Sequence, residues 1–318
     1  MTARGAVATV VTSLMICTSP VDAQTPAQLQ SACVGAGGGS RLCTGAAIAA
    51  HAIQGQVGLL AGAGVEVPGT ATTLGTRVGG GTRFSVSVRT GLVPMAFPDL
   101  SDPFVTDEAG GIASTVQGQV AAGVFEGLQL MPTVGGFLSL DLFGQASLLL
   151  VPQGEGLSEG VRSYAVGARI GILREGFTVP GVSVSVARRF PGTVAYVADV
   201  DAAALELDSG VTAYRATVGK DLFAVEWLAG FGIDEFDGSA TIDVTDTVGS
   251  GGSVQVSGPV RSDRRLYFGS ASTTVGIVLT LSIEAGWAEG FEAVPGWDGP
   301  YDPESRTLFG GVSARLTL

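Results

Sequence analysis

The chain has 318 residues, of which 46% are hydrophobic and only 14% charged, and its formal net charge is −12. With 29 acidic against 17 basic residues, a nucleic-acid-binding surface is excluded. A helical membrane protein is excluded as well, because beyond the N-terminus no run approaches the roughly 18 uninterrupted apolar residues of a spanning helix.

At the N-terminus, Arg4 precedes an apolar stretch over 6–17 and then Thr-Ser-Pro-Val-Asp-Ala. A basic start, an apolar centre and a small residue at the end describe a secretory signal peptide, read here as 1–23 with cleavage after Ala23. The rival is a lipidated Cys17, but Ile16 stands where lipoprotein signals resemble one another in having a small residue. Cys33 and Cys43 then form an even set in an exported chain, flanking a Gly-rich spacer, and are expected to form a disulfide. No acidic residue lies between Cys33 and His51, so no metal site is expected there. Residues 28–54 are Ala-rich with apolar residues at helical offsets. The segment 24–53 is therefore read as a partly helical periplasmic or plug segment, ahead of a barrel over 54–318.

About twelve strands follow, with boundaries good to a few residues. They are placed at 54–64, 70–79, 82–91, 113–125, 136–150, 161–173, 180–190, 210–219, 222–234, 264–273, 275–288 and 305–318. The clearest is 275–288. Val275, Ile277, Leu279, Leu281, Ile283, Ala285 and Trp287 share one face, while Gly276, Thr280, Ser282, Glu284 and Gly286 share the other. Alternation this long exceeds an ordinary globular strand of five or six residues and suits a tilted membrane strand of about ten. A hairpin is expected at 273–275. Phe84, Val86 and Val88 oppose Arg83, Ser85, Ser87 and Arg89 in the same way, and Tyr164, Val166, Ala168, Ile170 and Ile172 oppose Gly167, Arg169 and Gly171.

The links sort by length. Short ones fall at 79–82, 125–136, 173–180, 219–222 and 273–275, and longer ones at 92–112, 151–160, 191–209, 235–263 and 289–304. Transmembrane barrels have short periplasmic turns and longer outside loops. The alternation puts both chain ends in the periplasm and requires an even strand number, which falls from about twelve to ten if the first hairpin does not span. The fold expected is all-β, a transmembrane antiparallel up-and-down barrel.

In the last strand Leu308, Gly310, Val312, Ala314, Leu316 and Leu318 alternate up to the final residue. This resembles the C-terminal signal of bacterial outer-membrane β-barrel proteins, with Leu318 where that family usually ends in Phe. The resemblance implies a bacterial outer-membrane location, contact with outer-membrane lipid, and recognition of 305–318 by the barrel-assembly machinery.

Charges cannot face hydrocarbon cheaply, so the strand charges Arg83, Arg89, Asp141, Arg169, Arg189, Arg215, Glu226, Glu284 and Arg315 are assigned to the lumen. They would either lock the barrel in ion pairs or line a selective path. Acidic residues crowd the outside loops, where carboxylates suit hard cations. Asp298, Asp302 and Glu304 are the closest set, but they make no EF-hand, and no metal or cofactor is expected. Some outer-membrane barrels are hydrolases that resemble one another in using a His beside a Ser or Asp. Here His51 is the one histidine; it precedes the first strand, on the periplasmic side by this topology, and no enzyme is expected. The function expected is a channel or passive transporter for small polar solutes, the alternative being a closed structural or surface-interaction barrel with acidic outside loops.

Overall fold

The computed structural model describes residues 25–318 apart from 77–80, 103, 130–134, 153–155, 159, 199–202, 246–252 and 277. The signal-peptide reading of 1–23 and the lipidation site at Cys17 lie outside the described residues. Two helices come first, α1 (Pro26–Gly35) and α2 (Ser40–Gly62). The strands are β1 (Arg83–Pro98), β2 (Glu108–Phe125), β3 (Ser139–Leu150), β4 (Val161–Leu173), β5 (Gly181–Pro191), β6 (Val194–Val197), β7 (Ala203–Leu222), β8 (Val225–Thr245), β9 (Ser253–Val275), β10 (Leu279–Ala288) and β11 (Thr307–Thr317). Each pairs antiparallel with the next, β5 passes over the short β6 to pair with β7, and β1 pairs with β11. The result is a closed barrel of ten strands, with β6 as an extra edge.

The expected strand 54–64 and the described part of 70–79, residues 70–76, are not strands; 77–79 lie outside the described residues. Residues 54–62 continue α2, and 63–76 is an irregular strap inside the barrel. Gln54, Gln56 and Gly58 alternate with Gly55, Val57 and Leu59, which imitates a strand. A helix buried on every side needs no apolar stripe, so no helical period marks it. The hairpin expected at 273–275 lies two residues later: Val275 pairs with Leu279, and Gly276 takes φ +69° in the turn.

The membrane belt is the outward face. Val86, Val120, Leu142, Val166, Val186, Val218, Ile283 and Val312 are all exposed there. Inward alternate positions are buried and polar in the lower barrel, including Ser85, Ser87, Gln117, Gln119, Gln145 and Thr217. Towards the outside this sense reverses. On β8 and β9 the inward residues become Phe236, Ala240, Ile242, Val244 and Val260, all buried, while Glu235, Asp243, Asp263 and Gln255 alternate with them. Hydrocarbon ends where the apolar side changes face. The stretch 235–263, expected as a loop, is thus mostly a paired sheet rising above the membrane, from Glu235↔Asp263 to Thr245↔Ser253.

That raised wall and the inward Val93, Met95 and Phe97 of β1 enclose the apolar core of the molecule, and α2 fills it. Residues 42–62 of α2 are all buried. The helix is narrow because Ala46, Ala47, Ala49, Ala50 and Ala52 are small. Its glycines sit where the wall presses closest: a Cβ at Gly58 would enter the Phe236 ring, and one at Gly62 would enter the Arg189 guanidinium. The Cys33–Cys43 disulfide, with Cα atoms 5.7 Å apart, ties α1 to the start of α2.

Candidate functional site

Below α2 the strap 63–76 has no regular structure, so its backbone donors and acceptors need partners from elsewhere. The strand charges supply them. Arg89 donates to Ala63 O at 2.9 Å and also to Val65 O, and Arg215 Nε donates to Gly64 O at 3.2 Å. Glu284 accepts Val65 N–H at 3.0 Å, and Glu226 accepts Ala71 N–H at 3.1 Å. Arg169 Nη1 donates to Thr70 O at 3.1 Å, Arg315 Nη2 to Gly69 O at 3.4 Å, and Asp141 accepts Leu74 N–H at 2.9 Å. Gly64 and Gly69 turn the strap at φ +83° and +69°, values that strain a residue with a Cβ.

The same charges pair across the lumen. Arg169 lies 2.8 Å from Asp141, Arg215 2.6 Å and Arg189 3.5 Å from Asp234, and Arg189 also pairs with Glu66 of the strap. Eight of the nine residues assigned to the lumen from sequence thus form one collar around the strap. The ninth, Arg83, is exposed at the periplasmic rim, where it lines a cavity of about 830 Å³ with Arg174, Lys220 and Asp221. Sequence reasoning missed Glu66, Asp234 and Arg264. Asp234 and Arg264 were strand ends or loop boundaries in that reading, and Glu66 lay in a link.

At the outer mouth the loops are tied to the plug and to one another. Arg41, at the start of α2, donates to Asp298 at 2.6 Å and to Phe104 O. The Tyr196 hydroxyl donates to Asp99 at 3.2 Å and accepts Leu100 N–H at 3.2 Å, and burial pushes its pKa up to about 12. Asp298 is thus engaged by Arg41, and Asp302 accepts Glu304 N–H at 3.0 Å within its own loop, so the sequence-derived cation set does not converge. Among the described residues no group of three or more His, Cys, Asp or Glu is placed to hold a metal.

His51 is on α2 inside the barrel, in its outer half, not on the periplasmic side. Its ring centroid lies 5.8 Å from that of Phe291 in the β10–β11 loop. Neither ring nitrogen has a hydrogen-bond partner, and burial lowers its pKa to about 4. α1 also lies at the outer mouth, against β9, so the chain runs from outside down through the lumen before entering β1 at the periplasmic rim. The reading that both chain ends lie on one side therefore fails for residues 25–40, which lie at the opposite end of the barrel from the end of β11. Loop-length parity carries no information on a segment threaded through the lumen.

No family model matches the chain, and no characterised protein matches it in sequence. Solved barrels do resemble it in shape. The outer membrane protease OmpT of Escherichia coli gives a TM-score of 0.41 at 10% identity, over 74% of this chain and 96% of that one. The translocator domain of the autotransporter NalP of Neisseria meningitidis gives 0.34 at 10%, over 75% and 89%. Neisserial surface protein A gives 0.26 at 11%, over 74% and 96%. The closed antiparallel wall with an apolar outer belt makes the chain a transmembrane β-barrel, the fold of bacterial outer-membrane proteins.

Proposed function

We propose that this protein is a plugged barrel that acts at its outer face, presenting a surface for a binding partner, rather than a standing channel. One observation carries this reading: α2 is buried at every position from 42 to 62, and the strap below it is held by the lumen charges. A polar lumen whose charges are spent on the protein's own backbone offers no continuous path to a solute. The outer wall of β7–β9 gives the surface its character, with Glu206, Asp208, Glu235, Asp243 and Asp263 on it. The non-enzymatic reading is supported by His51, which has no hydrogen-bonded Ser, Thr, Asp or Glu as a hydrolytic base needs.

The channel for small polar solutes becomes the second reading, in a state where residues 25–76 have left the lumen. Gln117, Gln119 and Gln145 favour it: each donates to the backbone of α2 or the strap, and each would line a wet pore once that backbone left. Planar-bilayer recording separates the two. The full chain should show no steady conductance, while a variant lacking 25–76 should conduct ohmically. Equal conductance from both proteins would overturn the plugged reading.

A further inference from the structure

Beside the plug, at the outer mouth, lies a cavity of about 500 Å³. Its walls come from the start of α1, the middle of α2, β9 and the β10–β11 loop. A volume of this size falls in the range of small-molecule sites, about 300 to 1,000 Å³. Two of the polar side chains lining it are buried and lack partners. Arg264 Nη1 and both ring nitrogens of His51 make no hydrogen bond, although the two residues are only 4% and 2% exposed. Both line this cavity, and Gly55, one turn after His51 on α2, leaves room for the guanidinium. A Cβ there would lie 3.0 Å from Arg264 Nη1.

Arg264, like Arg315 in the collar below, is a buried cation without an ion pair among the described residues, and of the two it is the one that lines this cavity. Its cross-strand neighbour Asp234 is held by Arg215 at 2.6 Å and Arg189 at 3.5 Å, and no carboxylate lies within 4.0 Å of Arg264 among the described residues. A guanidinium does not deprotonate in proteins, so it cannot escape burial by neutralising. A buried unpaired charge is strongly destabilising. An anion supplied from outside would remove that penalty. A single spare guanidinium calls for a single negative charge. His51 beside it, neutral at physiological pH, offers one donor and one acceptor. Pro26, Ala27, Phe291, Ala293 and Pro295 give one apolar side to an otherwise polar wall, and that side suits an apolar body. The rim carboxylates Asp263, Glu289 and Glu292 are offset in part by Arg261 and Arg265 on the same rim, and exposed charges are screened more than the buried guanidinium.

We propose that this pocket binds a small monocarboxylate with an apolar, ring-sized body, its carboxylate on Arg264 and its second polar contact on His51. The site rests on the plugged reading, since α2 forms one wall. Conductance reports on the plug and binding on the pocket, so the two can fail separately.

The single histidine makes the test direct. Full-length protein purified in lipid nanodiscs without a histidine tag, and ¹⁵N-labelled at histidine, should give one imidazole spin system. Titration with benzoate should shift it saturably, and acetate should bind more weakly. Arg264→Gln should weaken benzoate binding by about tenfold or more, as loss of a charge-assisted contact implies. Should Arg264→Gln fail to fold, Ala293→Trp at the rim, away from the collar, should block the titration with the barrel intact. A shift that does not saturate, or that persists in the rim variant, overturns the proposal. Saturation by inorganic phosphate but not by benzoate overturns the carboxylate assignment.

Discussion

Arg169 and Asp141 meet 2.8 Å apart in the lower lumen, each almost wholly buried. Removing one partner of such a pair leaves the other charge uncompensated in low dielectric, at about 3 to 5 kcal/mol. Asp141→Asn keeps the shape and should lose that much in reversible urea unfolding from lipid vesicles. A loss below about 1 kcal/mol would mean that water reaches the pair. His51 gives a prediction in pH. Burial lowers its folded pKa to about 4, below the ordinary 6.5 of a free imidazole, so the fold favours neutral imidazole. Stability from this group is complete above pH 6.5 and is lost as pH falls towards 4, reaching roughly 3 kcal/mol at about 1.4 kcal/mol per unit. Amide exchange of α2 followed from pH 7.5 to 4 should show this loss in the native chain and not in His51→Gln. An equal acid response in both would assign it to the collar carboxylates.

Among the elements, β9 and β10 show how much register matters. The hairpin turn that opens at Gly276 leaves Leu279 as the first residue of β10, at one edge of the belt, with Ile283 at mid-strand between Ala271 and Val312. Arginine on the lipid face costs about 2 to 4 kcal/mol at the midplane and about 0 to 1 near the interfaces. Ile283→Arg should therefore be the damaging change and Leu279→Arg the mild one, measured by folding into vesicles. Equal costs would mean that the belt is set at the wrong depth. The two-residue slip in the turn was not legible, because Ser272 to Thr274 are as acceptable in a strand as in a turn. Only pairing across to β10 fixes which of them bends.

At the scale of the molecule, α1 and the raised β8–β9 wall share the outer mouth, and the β7–β8 turn lies at the other end. An impermeant maleimide on intact cells should therefore label Ser31→Cys and leave Asp221→Cys unlabelled, both positions being exposed. Labelling of the second and not the first would invert the barrel in the membrane.

Alternation over 82–91, 161–173 and 275–288, together with the ordering of short and long links, sufficed for a transmembrane barrel. The reason is that each strand must satisfy lipid on one side and the lumen on the other within its own few residues. The Cys33–Cys43 bridge was legible for a similar local reason, two cysteines across a flexible spacer in an exported chain. What the lumen holds was decided by tertiary structure. Residues 54–64 carry no stripe because the wall surrounds them, 235–245 alternate in reversed sense because the membrane has ended, and Arg264 has meaning only against Gly55 and His51. Each of these depends on which residues lie opposite, and opposition across a lumen arises only when the sheet closes.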